Sequence, residues 1–238
     1  MSMPNELIFV RHGQSEPNVI HDSERSKLPH AALQAVYERH DWQQRLSQLG
    51  VDQAQSAGVW LQSHGYTHDV FSRCYASPFL RARETAYYVG GPDAQWHLDD
   101  RIKERDWGEF RSTPKEFREQ MFPFSHRAYK TNKWYARLNG GESLADNVLM
   151  RARDFVGTLH RELAGSKVLV VCHGEFMLTM RYLLERMLPE EWLAMDEDAA
   201  QDMKNCTILH YTRVNPDDRG DVRPHISWVR MIYPYDET

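Results

Sequence analysis

Two stretches of the chain are apolar at every position. Leu7-Ile8-Phe9-Val10 runs into Arg11-His12-Gly13, and Val168-Leu169-Val170-Val171-Cys172 runs into His173-Gly174. Uninterrupted apolar runs rich in β-branched residues mark strands buried on both faces, as in parallel sheets. A third strand candidate, 70–77, mixes polarity and stops at Pro78. Towards the end, 207–214 and 225–232 read as strands joined by the turn-rich stretch 215–224. Between these lie helical periods. Ser47 can cap a helix with Val51, Ala54, Ala57 and Leu61 on one face. Residues 79–89 form a shorter helix after Pro78. Ser143-Leu144-Ala145-Asp146 reads as a capping box with Asp in its fourth place. It opens a helix with Leu144, Val148, Ala152, Phe155, Leu159 and Leu163 on one side. After His173, Phe176, Met180, Leu183 and Met187 recur at helical spacing.

Strands alternating with helices predict an α/β fold, a three-layer sandwich with a mainly parallel central sheet flanked by helices. Two stretches break the alternation, about 18–46 and 105–140, and both read as excursions from the sheet. The second is crowded with aromatic and basic residues. No linker divides the chain and nothing repeats, so 1–238 is expected to form a single domain.

Composition narrows the class. The 238 residues are 41 % hydrophobic, 26 % charged and 11 % aromatic, an ordinary globular balance that speaks against disorder. No apolar run approaches the roughly 18 residues of a membrane span. Met1-Ser2-Met3-Pro4-Asn5-Glu6 has no basic patch ahead of its short apolar run, so no secretory signal is expected. Three cysteines, Cys74, Cys172 and Cys206, cannot all pair and form no CxxC. A cytoplasmic location is therefore the expectation. The net charge of −5 speaks against a nucleic-acid binder. It is unevenly spread. Residues 111–137 hold seven Lys/Arg and two Asp/Glu, whereas 185–202 hold seven acidic residues and one Arg. The basic segment suggests local attraction of an anion, against the blander reading of a solvated surface.

The chemistry gathers at strand ends. In open α/β sheets, ligands bind beyond the carboxyl ends of the strands. Two buried strands here end in His-Gly. If they are neighbours, His12 and His173 meet at one edge, and each glycine would let the backbone turn sharply or approach a ligand. Alone, a histidine after a strand often just finds a backbone partner; the repeated pattern favours a site. Arg11 adjoins His12, and the third strand leads to Arg81 in the first turn of a helix. Helix starts favour anions, and the guanidinium fork suits phosphate oxygens. Two Arg and two His on one edge describe a site for a phosphoryl group. No carboxylate cluster with metal-ligand spacing accompanies them.

Arg11-His12-Gly13-Gln14-Ser15-Glu16-Pro17-Asn18 resembles the RHGxSxxN signature of the histidine phosphatase superfamily, in the branch of cofactor-dependent phosphoglycerate mutases and many phosphatases. The likeness continues through Leu46-Ser47-x-x-Gly50-x-x-Gln53-Ala54 and Ser77-x-x-x-Arg81-Ala82-x-x-Thr85-Ala86. It goes on through Glu104-x-x-x-Gly108, Gly141-Glu142-Ser143-Leu144 and Val171-Cys172-His173-Gly174, in the family's order over 7–180. The resemblance implies a phosphoglycerate mutase-like fold. It implies His12 as the nucleophile that becomes phosphohistidine. Arg11, Arg81, His173 and Gly174, helped by Asn18, would bind the transferring oxygens. Glu104 would be the proton donor, with Glu175 and Asp106 as substitutes. Arg83, two residues from Arg81, reads as a surface or ion-pair group, and Asn18 and Gln14 could merely stabilise the turn after the strand.

A nucleophilic imidazole must be neutral, and neighbouring arginines should lower its pKa. Those groups also supply the positive field a metal gives elsewhere, so neither metal nor cofactor is expected. The first reading is a phosphomonoesterase acting on a small phosphorylated metabolite through phosphohistidine. A phosphoglycerate mutase is the alternative. Mutases usually carry Glu-Arg-His-Tyr-Gly where this chain has Glu104-Arg105-Asp106-Trp107-Gly108, and they present an adjacent Arg pair that this chain lacks. A non-catalytic module that binds a phospho-ligand is the alternative of another class. The expected partner is a small anionic phosphorylated substrate, with no nucleic acid and no membrane; a homodimer is compatible with the sequence. The 111–137 segment is expected to lie over the site and select the leaving group.

Overall fold

In a computed structural model of the protein, residues 2–22, 34–36 and 38–237 are described. Part of the first excursion, 23–33 and 37, lies outside them. A six-stranded sheet in the order β3-β2-β4-β1-β5-β6 forms the middle layer. Its strands are β1 (Glu6–Arg11), β2 (Arg73–Ala76), β3 (Trp96–Leu98), β4 (Lys167–Cys172), β5 (Ile208–Thr212) and β6 (Trp228–Ile232). The ladders β3/β2, β2/β4 and β4/β1 are parallel; β1/β5 and β5/β6 are antiparallel. The sheet is thus mainly parallel, as the apolar runs predict.

Alternation along those runs separates two cores. Leu7, Phe9, Val168 and Val170 join one, packed under α6 (Leu149–Glu162), α7 (Gly174–Leu184) and α8 (Pro189–Glu197). Ile8, Val10, Leu169 and Val171 join the other, under α2 (Gln48–Ser63) and α3 (Leu80–Gly90). Residues facing both ways are apolar because helices cover both faces.

Several element ends differ from the sequence pattern. The 70–77 stretch opens with a 3-10 turn at His68–Val70, leaving a four-residue strand. Strand β3 is three residues at an edge, half-buried to exposed, and too short to leave a periodic signal. Ser143 accepts from the Asp146 N–H at 3.1 Å, but the reciprocal bond from the Ser143 N–H goes to Asn147 Oδ1 at 3.1 Å. The first turn, Leu144–Val148, is a π-turn, and this wider winding brings the fifth residue rather than the fourth back to the cap. The second excursion holds two short helices, α4 (Lys115–Met121) and α5 (Pro123–Thr131). Helix α1 (Glu16–Asp22) follows the loop after β1.

Register fixes the chemistry. Arg11 pairs with Cys172 and Ala76 with Val171, so His12, His173 and Ser77 emerge side by side at the carboxyl edge. Gly13 is required there for a reason other than a turn. A Cβ on it would lie 2.3 Å from the Gly50 carbonyl oxygen, and one on Gly50 would lie 2.0 Å from the Gln14 oxygen. The two glycines let the loop after β1 press directly on the start of α2, so Gly13 serves chain-to-chain contact, not ligand approach.

Candidate active site

The His12 ring is 3 % exposed, and its Nδ1 lies 2.7 Å from the Gly13 carbonyl. A carbonyl only accepts, so Nδ1 carries the proton and Nε2 keeps its lone pair. Arg81 Nε donates to that nitrogen at 3.3 Å. Burial, with Arg81 and Arg11 beside it, holds His12 well below the ordinary histidine pKa, so the ring is neutral. His173 is fully buried, its ring centre 5.1 Å from that of His12, and its Nε2 is 2.8 Å from Ser77 Oγ. Its Nδ1 has no hydrogen-bond partner among the described residues. Burial and then Arg81 keep His173 neutral as well.

A cavity of about 610 Å³ opens beyond these rings. Arg11, His12, Asn18, Arg81, Glu104 and Gly174 all line it. His173 is not part of the wall but stands beside His12, which is. Gly174 begins α7, whose first N–H groups have no partner within the helix. Asn18 Oδ1 accepts from the Ser15 N–H and Ser15 hydroxyl, at 3.1 and 2.9 Å, and from Asn205 Nδ2 at 3.2 Å. The amide nitrogen of Asn18 is therefore the end left for a ligand. Gln14 accepts from Ser47 Oγ at 2.8 Å and has the structural role expected of it. Arg81 is buried while Arg83 is exposed, as their spacing implies.

The carboxyls divide sharply. Burial and the nearby Glu175 charge raise Glu104 to about 7, against the lowering effects of the Arg105 N–H bond, Arg81 and Arg11. Burial also acts to raise Glu175, but Lys133 Nζ at 3.1 Å and Arg105 Nη1 at 3.3 Å outweigh it and hold Glu175 below the usual carboxylate range. Asp106 is exposed, and its Oδ1 accepts from the Gly108 N–H at 2.8 Å. Of the three, Glu104 alone lines the cavity in a form that keeps a proton near neutral pH.

Four supporting residues escape a reading of the sequence. Arg105 is 0 % exposed and donates to the Ala136 and Glu142 carbonyls and to Glu175, stapling the Glu104 loop to the basic segment. Arg151 donates to the carbonyls of Arg101, Lys103 and Glu104. Asn205, just before β5, donates to the His12 carbonyl at 3.0 Å as well as to Asn18. Asp41 meets Arg81 and Arg111. An Arg next to Glu104 and an Asn at a strand entrance are faint signals; Asp41 gives none. The basic segment does line the cavity, through Arg111, Lys115, Arg118, His126, Lys130 and Lys133. Trp107, Phe110 and Tyr129 form an aromatic wall, with ring centres 5.7 Å apart for Trp107–Tyr129 and 6.4 Å for Phe110–Tyr129. Among the described residues, no group of three or more His, Cys, Asp or Glu is placed to hold a metal ion, and no helix is long and apolar enough to cross a membrane.

The chain is a three-layer α/β sandwich with two neutral histidines at adjacent strand ends and arginines beside them. The family model for the histidine phosphatase superfamily (branch 1) matches residues 7–217, and the chain belongs to that family. Among curated proteins it is similar to a 2,3-bisphosphoglycerate-dependent phosphoglycerate mutase of Rhizobium etli, 30 % identical over 82 % of this chain and 86 % of the relative. Among solved structures it shares its fold with the mycobacterial glucosyl-3-phosphoglycerate phosphatase, at TM-score 0.66 and 20 % identity, covering 96 % of this chain and 97 % of that one. A putative alpha-ribazole-5'-P phosphatase of Escherichia coli aligns at TM-score 0.70 and 16 % identity, over 97 % and 95 % of the two chains.

Proposed function

We propose that the chain is a phosphomonoesterase that works through phosphohistidine on a small phosphorylated metabolite. The observation that carries this reading is the fixed tautomer of His12, whose unprotonated Nε2 points at Arg81 in the cavity that Glu104 also lines. In the first step Nε2 bonds to phosphorus as the ester P–O bond breaks, and the departing oxygen takes the Glu104 proton. In the second, water attacks phosphorus and gives a proton to the Glu104 carboxylate, and the N–P bond breaks to return neutral His12 and inorganic phosphate. Arg11, Arg81, the Asn18 amide, His173 and the Gly174 N–H are assigned to the transferring oxygens. Such donors stabilise charge without reorganising.

The test is to trap the intermediate with labelled substrate. The label should fall off in acid, survive alkali and be absent from His12→Ala. Label that survives acid, or persists in His12→Ala, overturns the assignment. The mutase reading is favoured by the similarity to curated mutases. It is opposed by Asp106 and Trp107 in the donor block, where mutases carry His-Tyr, and by the missing Arg pair. Neutral His12 and a Glu104 raised to about 7 suit phosphoryl transfer and serve both readings.

A further inference from the structure

We propose that Asp41 is a positioning residue for phosphoryl transfer. Its carboxylate grips the Nη1–Nη2 end of the Arg81 guanidinium, so that the adjoining edge faces the site with its Nε on the attacking nitrogen of His12. The proposal rests on the reading of His12 as nucleophile and goes beyond it.

Arg81 Nη1 donates to the Asp41 carbonyl at 2.8 Å and to Asp41 Oδ1 at 3.1 Å, and Nη2 donates to Oδ2 at 3.3 Å. Nε, on the other edge, donates to His12 Nε2 at 3.3 Å. A guanidinium is a rigid plane with five N–H donors, so fixing one edge fixes the other. The remaining donor is the second Nη2 hydrogen, on the same side as Nε. A phosphoryl group arriving at His12 Nε2 would displace the Arg81–His12 contact and meet a parallel two-donor fork. Asp41 Oδ1 also accepts from Arg111 Nε at 2.8 Å, while Arg111 Nη2, in the wall of the same cavity, is buried without a partner among the described residues. One carboxylate thus aims two guanidiniums. Burial alone would raise the Asp41 pKa, but Arg81 and Arg111 outweigh it and keep the group charged.

A carboxylate beside a dianion site opposes binding of the dianion, yet here it orients the group that grips the dianion during transfer. Those two effects have opposite signs, which separates positioning from simple structural support. In Asp41→Ala, kcat on an aryl phosphate should fall about 10²-fold, as for an angstrom-scale misplacement. KM should stay or fall. Vanadate, which takes up the five-coordinate geometry of transfer, should bind about 10-fold more weakly, by the same loss of orientation. Inorganic phosphate should bind no more weakly. Asp41→Asn, which keeps one acceptor oxygen, should lie between wild type and Asp41→Ala. In an Arg81→Lys background, removing Asp41 should cost little further. An unchanged or higher kcat, equal losses for vanadate and phosphate, or equal losses in both backgrounds overturns the proposal. The two oxyanions are measured by direct binding, so the test survives failure of the hydrolytic reading. A wild type that forms no phosphoenzyme but whose Asp41→Ala variant weakens vanadate alone would retain Asp41 and discard the chemistry; one that binds neither anion discards both.

Discussion

Glu104 and Glu175 line one cavity, and their neighbours push them in opposite directions. Glu104 is raised to about 7 by burial and by the charge of Glu175, while Lys133 and Arg105 keep Glu175 ionised. An acid with a raised pKa is lost as pH climbs through that value. Turnover of alkyl phosphates, whose leaving groups need a proton, should therefore fall above about pH 7. Aryl phosphates should show a shallower decline. Glu104→Gln should remove the alkaline limb and slow alkyl substrates by about 10²–10⁴-fold, with a far smaller loss on aryl phosphates. Equal loss on both would mean that Glu104 positions rather than protonates. Glu175→Gln deletes a negative charge and leaves Lys133 and Arg105 uncompensated, and both changes favour the carboxylate form of Glu104. The alkaline limb should then move to lower pH, and a shift upward would show that the two carboxyls are not coupled. His12, neutral far below its ordinary pKa, should impose no acid limb of its own near pH 6.5. These roles were readable in part. The residues that meet the phosphoryl group sit in short motifs, whereas Asp41, Arg105 and Asn205 act through contacts across 40, 70 and 193 positions of chain, which no local pattern encodes.

Elements were legible where one face is buried at a regular period. The helix after Ser47 begins as its cap predicts, with Ser47 Oγ accepting from the Gly50 N–H at 3.1 Å, and its face of Ala54, Ala57 and Leu61 is buried. The excursions were not legible, because α4 and α5 bury no residue fully and lie against a cavity instead of the sheet. Strand β3 borrows its conformation from β2 through a three-residue ladder, a tertiary effect that outweighs weak local preference. The contact between Gly13 and Gly50 belongs to this scale. In Gly50→Ala, the new methyl group meets a backbone oxygen at 2.0 Å, which no rotamer change relieves. The loop after β1 would have to move away from α2, at a cost of about 1–3 kcal/mol. Thermal unfolding should report a Tm several degrees lower, and the shifted loop should also weaken vanadate binding through His12. A variant as stable as wild type would mean that the loop yields freely.

For the whole molecule, the fold class and the mainly parallel sheet were legible because both buried strands carry the pattern that helices on two faces demand. Substrate identity was not, since it depends on side chains that separate stretches of the chain bring around one cavity. The cavity's cations come from the chain itself, so dialysis against a chelator should leave hydrolysis unchanged. Activity restored only by Mg²⁺, Mn²⁺ or Zn²⁺ would show that the site has been misread. Phosphate should be released stoichiometrically from simple monoesters, with negligible conversion of 3-phosphoglycerate to 2-phosphoglycerate even when primed with the bisphosphate. Primed isomerisation that outruns phosphate release would replace the phosphatase reading with the mutase.

Strand order has a consequence for the chain as it is made. β1 pairs with β4 on one side and β5 on the other, and both are encoded at residue 167 and beyond. A ribosome that has reached residue 166 has therefore released a strand, Leu7-Ile8-Phe9-Val10, with neither neighbour yet in existence. Long-range pairing of this kind is slow and leaves apolar backbone open to the wrong partners. Nascent chains arrested before residue 167 should be held by a chaperone or cut readily near the first strand. Chains extended past residue 212 should become resistant together with their first ability to bind phosphate, so that protection and function arrive in one late event.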